Sequence, residues 1–155
     1  MKVGDTLSAA LGALADAPLP LDDGTTTTLS AASKAGKALV LFFYPKSGTP
    51  GCTAEACSFR DSFSVFRDAG AEVLGISSDS PGANAQWKEA NRLPFALATD
   101  AKGRLRSALG VQPTLWVLPG RETFVFDKAG ALLLRFNSQT QATEHVAQAL
   151  KALGA

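Results

Sequence analysis

The 155-residue chain holds two cysteines, one histidine, one methionine and one tyrosine, and its charges nearly cancel, to +1. Each scarcity excludes something. Two cysteines cannot build the multi-bridge framework of a small secreted scaffold, and a chain of this length does not need one. With a single remote histidine they also fall short of a four-ligand zinc set. Scattered basic residues and near-zero net charge lack the electrostatic footprint of a nucleic-acid or anionic-membrane binder. No run approaches the ~18 apolar residues that a membrane span requires. What is present is 46% hydrophobic residues, enough for one sizeable core. Residues 1–155 therefore read as a single domain in a reducing compartment, with a small molecule or another protein as partner.

The Ala-rich "SAALGALADAPL" follows one Lys, but Asp5 precedes it and Asp16 interrupts it, so it reads as a short helix and not as a secretory leader. "TTTTL" (Thr25 to Leu29) follows an Asp-Gly turn and is β-branched, which predicts a strand. "ALVLFFY" (Ala38 to Tyr44) is a continuous apolar run, the pattern of a central strand covered on both faces. From Cys52, apolar Phe59, Phe63 and Phe66 recur at spacings of four and three, predicting one helix that ends near Gly70 with these rings in the core. Strand (Glu72 to Ser77), helix (Gly82 to Asn91) and strand (Phe95 to Thr99) follow, a βαβαβ series that implies parallel pairing. A short helix near Arg104 to Leu109 leads to a hairpin within Glu122 to Phe136. A last helix, Thr143 to Leu153, carries Val146, Ala149, Leu150 and Leu153 at helical spacing and places His145 on its polar face, at the surface. A βαβ half followed by a ββα half is the plan of an α/β, thioredoxin-like fold: a central mixed sheet flanked by helices.

Both cysteines fall in "FFYPKSGTPGCTAEAC", five positions apart. Cys52 lies in the first turn of a predicted helix, where unpaired N–H groups and the helix dipole favour a thiolate. Alone, that placement is balanced by the ordinary role of a free cysteine as a small buried hydrophobe. The surrounding residues tip the balance. "PKSGTPGCT" resembles the Pro-x-x-x-Thr-x-x-Cys signature of the peroxiredoxins, and a second cysteine five residues on resembles their Q, or bacterioferritin-comigratory, subgroup. The likeness runs from Val3 to the last helix and includes "QWKEANRLPF" and "LPGRETFVFDKAG".

The resemblance implies a peroxidase without metal or prosthetic group. In that reading Cys52 attacks a hydroperoxide and becomes a sulfenic acid, and Cys57 resolves it as an intramolecular disulfide. Thr49 orients the O–O bond, Pro45 shields the pocket, and the Arg121 guanidinium stabilises the thiolate and the leaving oxygen. Thioredoxin or a similar reductant recycles the enzyme, expected to be a monomer in the cytoplasm or, as a mature chain, in the plastid stroma. Glu55 would help to arrange the helix start without being catalytic, and Trp87 and Trp116 would either edge the site or pack. Two features depart from the family pattern: the longer insert Thr6 to Leu21, and "QPTLWVLPGR", Gln112 to Arg121, which resembles plastid-type members. The rival readings are a thioredoxin-like dithiol–disulfide oxidoreductase and a non-enzymatic interaction module. The first uses Cys-x-x-Cys, whereas four residues separate the cysteines here. The second has no need of the matched residues.

Overall fold

The computed structural model describes residues 1–33, 36–111, 121–138, 141 and 143–155. Ala38–Phe43 forms β3, and every residue of it is buried. Alternate side chains explain why. Leu39, Leu41 and Phe43 enter one apolar cluster, whereas Ala38, Val40, Phe42 and the following Tyr44 enter another on the opposite face. A strand with two buried faces belongs at the centre of a sheet. It pairs in parallel with β4 (Ala71–Ser77) and antiparallel with β6 (Glu122–Phe126). β5 (Ala96–Thr99) and β7 (Leu132–Asn137) complete the order β5-β4-β3-β6-β7. The predicted parallel series, the hairpin and the central mixed sheet are all present, the sheet with five strands.

The helices cover the two faces. α3 (Pro50–Asp61), α4 (Phe63–Asp68), α5 (Pro81–Asn91) and α7 (Glu144–Ala152) supply Phe59, Phe66, Trp87, Val146 and Ala149 to the Phe42 side. α1 (Leu7–Leu11), α2 (Leu29–Ser33) and α6 (Arg104–Leu109) cover the other. The insert Thr6 to Leu21 forms α1, a 3₁₀ segment (Gly12–Asp16) and β1 (Leu19–Pro20), and buries Leu7, Leu11, Ala15 and Leu19 in that second cluster. It is thus part of the core.

Several local expectations change. The strand predicted from Thr25 to Leu29 is only β2 (Thr26–Thr27), paired with β1. The Thr28 hydroxyl accepts from the Ala31 N–H at 3.0 Å and starts α2 at Leu29, so a local cap wins over β propensity. The single helix predicted from Cys52 to Gly70 is broken at Ser62, whose φ of −102° and ψ of 8° close α3 and open α4. Phe59 and Phe66 are fully buried, but the break leaves Phe63 partly exposed at the edge of their cluster. Trp87 packs: it is a core residue with its ring tilted against Tyr44, centroids 5.0 Å apart. Trp116 and all of Gln112 to Gly120 lie outside the described residues.

Phe42 fixes the packing of the site face. Its ring stacks on Phe59 at 4.7 Å and lies across Gly75, its neighbour on β4. A Cβ at Gly75 would stand 2.8 Å from both Phe42 Cζ and Leu97 Cδ2. Gly-to-Ala replacements in extended chain often stabilise by about 0.4–1 kcal/mol through the unfolded state. Here overpacking wins, and Gly75→Ala is expected to destabilise by about 1–3 kcal/mol, read as a lower urea midpoint. An unchanged or raised midpoint would show that the Phe42 ring is free to shift.

Candidate active site

The chain leaves the buried end of β3 at Tyr44 and must turn at once to begin α3. The loop between them is pinned by Asp79, whose Oδ2 accepts from the Ser47 N–H at 2.7 Å and from the Ser77 hydroxyl at 2.8 Å. Tyr44 is anchored at both ends. Its hydroxyl donates to Asn84 Oδ1 at 2.8 Å, and its carbonyl accepts from Arg106 Nη2 at 3.1 Å. Gly48 takes a φ of +80° in the turn, a conformation that side chains disfavour. Pro45 and Thr49 are both half-buried on this loop.

Thr49 is the residue that starts α3, and Pro50 occupies the first helical position. The Thr49 hydroxyl does not cap the helix; it donates to the Lys46 carbonyl at 2.8 Å. The first-turn N–H groups thus keep their capacity for an anion. Cys52 sits in this turn with no solvent exposure, and Cys57 is on the same helix, half-buried, its Sγ 3.7 Å from Asn91 Oδ1. Both thiols are free.

Arg121 reaches the sulfur from 69 residues away in sequence. It immediately precedes β6, whose first residue Glu122 pairs with Phe43 at the end of β3, so the sheet register delivers it beside the start of α3. Its Nη2 donates to Cys52 Sγ at 3.4 Å and its Nη1 to Glu55 Oε1 at 2.8 Å. Gly51 makes room: a Cβ there would lie 3.0 Å from Nη2. Cys52, Thr49, Pro45 and Arg121 are therefore gathered at one end of the sheet, with Cys57 one and a half turns further along α3.

Two residues take a larger part than their sequence positions suggested. Glu55 is fully buried against Arg121, and burial, only partly opposed by that cation, pushes its carboxyl up to about 8. His145 is not at the surface. It is fully buried, edge-on to Phe136 at 4.9 Å, with Nδ1 2.8 Å from Thr123 Oγ1 and 3.4 Å from Glu55 Oε2. The reason is helical spacing, since residue 145 lies four before buried Ala149 and shares its face. Burial, the dominant effect, lowers its imidazole to about 4.

A thiol at a helix start, answered by a guanidinium instead of a second sulfur three residues on, marks a cysteine-based redox centre on a thioredoxin-like scaffold. Comparison narrows the class. The AhpC/TSA family model matches residues 12–135. A chloroplastic peroxiredoxin Q of Populus jackii is 45% identical over 134 residues, covering 86% of this chain and 63% of the relative. That of Sedum lineare is 43% identical over 137 residues, 88% of this chain and 74% of the relative. Among solved structures, the peroxidoxin BcpB of Mycobacterium tuberculosis superposes with a TM-score of 0.83 at 36% identity, covering 99% of this chain and 97% of that one. The bacterioferritin comigratory protein of Xanthomonas campestris, described for its alkyl peroxide reduction, gives 0.83 at 31% identity, with 97% and 100% covered. The chain belongs to the AhpC/TSA family, and the two plant relatives are peroxiredoxins of the Q type. It spans less than two thirds of the Populus relative, at 63% of that length.

Among the described residues no helix is long and apolar enough to cross a membrane, and no group of three or more His, Cys, Asp or Glu side chains could hold a metal ion.

His145 is the chain's one histidine, so a single imidazole resonance reports it. Its proton NMR titration is expected to have a midpoint near 4, below the ordinary 6.5. Unfolded chain then binds a proton that folded chain refuses, and stability present above pH 6.5 declines as the pH falls towards 4. A midpoint at the ordinary value would mean that the ring is solvated.

Proposed function

We propose that the chain is a thiol-dependent peroxidase that reduces hydrogen peroxide and organic hydroperoxides. The observation that carries this reading is the buried Cys52 sulfur with Arg121 Nη2 at 3.4 Å. The Cys52 thiolate attacks the terminal peroxide oxygen; the S–O bond forms as the O–O bond breaks, and the departing oxygen takes up a proton to leave as water or alcohol. Arg121 faces both the thiolate and the oxygen that gains charge. Thr49 exchanges its bond to the Lys46 carbonyl for one to the peroxide, and Pro45 limits water at the mouth. The alkyl peroxide activity described for the Xanthomonas relative supports this substrate class.

Cys57 then condenses with the sulfenic acid, releasing water and closing a disulfide. A dithiol reductant, thioredoxin or one like it, returns both thiols. We assign this cycle to a monomer of the atypical two-cysteine type working in a reducing compartment, the cytoplasm or the plastid stroma; the plant relatives are named as chloroplastic. Dithiol exchange on protein substrates fits less well, since it leaves Arg121 without a role.

Resolution demands movement. Residues five apart on an α-helix are ~7.5 Å apart along the axis and roughly 8–9 Å between Cα atoms. A disulfide tolerates at most about 7 Å. Both cysteines lie within Pro50–Asp61, so the bridge closes only after the start of α3 unwinds.

Cys52→Ser is expected to abolish peroxide consumption, and Cys57→Ser to allow one equivalent of sulfenic acid per chain without sustained thioredoxin-coupled turnover. Arg121→Ala should slow the peroxide step by roughly 100-fold or more. Normal turnover in Cys52→Ser would overturn the reading. Amide exchange across Gly51 to Arg60 should rise markedly on oxidation while β3 stays protected. Equal protection in both redox states would mean that the disulfide forms without unwinding.

A further inference from the structure

Glu55 is buried between two partners of opposite kind. Its Oε1 accepts from Arg121, whereas its Oε2 has no hydrogen-bond partner and lies 3.4 Å from His145 Nδ1. The bonds of the histidine identify what that nitrogen offers. Nε2 is 2.8 Å from the Ser138 main-chain oxygen, which can only accept, so Nε2 carries the hydrogen. In the neutral ring Nδ1 then bears a lone pair, which receives the Thr123 hydroxyl at 2.8 Å. An ionised Oε2 would face an electron pair in a dry interior.

Charging the ring would remove that conflict. Burial and the Arg121 charge oppose it, and the hydrogen bond to the Ser138 carbonyl, with Glu144 on the first turn of α7, favours it too weakly to prevail. Charge balance on the other side of Glu55 points the same way. Arg121 is the cation in contact with both Glu55 and Cys52, and two anions would have to share it. Arg106, from α6, adds field at Cys52, but it also answers Asp100 and Asp79. We propose that His145 is a positioning residue acting through Glu55: held as its Nε2–H tautomer, it denies Glu55 a donor and keeps that side chain a neutral acid, so that the whole charge of Arg121 serves the Cys52 sulfur. The raised carboxyl of Glu55, at about 8, agrees with this arrangement. As the pH climbs through that value Glu55 ionises, competes for Arg121, and the peroxide step slows.

The kinetic half of this inference rests on the peroxidase reading; the protonation of Glu55 does not. Two measurements on the full chain separate them. The first is the second-order rate of reduced protein with hydrogen peroxide between about pH 6 and 10. Wild type is expected to show a falling limb centred near 8, and Glu55→Gln to lack that limb whatever its absolute rate. His145→Gln, whose amide can turn an N–H towards Oε2, should move the limb down by about one pH unit or more. A limb that persists in Glu55→Gln, that is absent from wild type, or that does not move in His145→Gln overturns the proposal. The second is an infrared pH titration of wild type alone. Solvated carboxyls are ionised at neutral pH, so a protonated-carboxyl C=O band that disappears near pH 8 is expected from Glu55. Absence of that band at neutral pH overturns the proposal even if neither variant folds. Failure to consume peroxide at any pH, with the band present, would sink the peroxidase reading and leave the charge state of Glu55 established.

Discussion

A buried guanidinium is the constraint around which this structure is arranged. Arg121 is 3% exposed, and a charge removed from water persists only if its donors are answered. One face meets the sulfur of Cys52 and the other meets Glu55, three residues further along the same helix. That spacing places the two acceptors on one side of α3, and Gly51 removes the Cβ that would block the approach. Shortening Arg121 to lysine would keep a charge but lose the planar fork that spans both partners.

Everything upstream of that contact serves to hold it in place. The register of β3 with β6 sets where Arg121 emerges. The two-sided core of β3 fixes the strand end from which the loop departs, and Asp79 ties the loop to the neighbouring strand. Phe42 holds the other end of α3 against the sheet through its stacked contact with Phe59, ring centroids 4.7 Å apart. Cys52 thus sits between the packed rings at the far end of α3 and the loop that Asp79 ties down at its start.

Much of this was legible in the residues. The unbroken apolar run of β3 announced a central strand, and the alternation of strand and helix announced parallel pairing. The Pro-x-x-x-Thr-x-x-Cys spacing placed three site residues at one loop. Arg121 could be placed only by resemblance, because a contact spanning 69 positions leaves no local periodicity. His145 was misplaced at the surface for a different reason. Four apolar residues define the face of α7, and a polar residue beside them looks solvated unless its buried partners are known. Those partners, Glu55 and Thr123, come from elements far away in sequence. Thr28 shows the same limit at short range: four threonines in a row suit a strand, yet one hydroxyl sufficed to start a helix.

The grip of α5 on α3 has an electrochemical meaning. Trp87 Nε1 donates to Thr53 Oγ1 at 3.1 Å, and Arg60 Nη1 donates to the Asn91 carbonyl at 2.7 Å, bonds that a helix gives up wherever it unravels across Thr53 to Arg60. If the oxidised pair exists only with that turn undone, the folding energy of the turn is also a term in the midpoint potential of the couple. For two electrons, about 1.4 kcal/mol corresponds to about 30 mV. A tighter clasp makes the disulfide a stronger oxidant and easier to reduce, and a looser one makes it more persistent. In the proposed cycle, the contacts of this helix with its neighbour would thereby set how strong a reductant is needed to return the thiols.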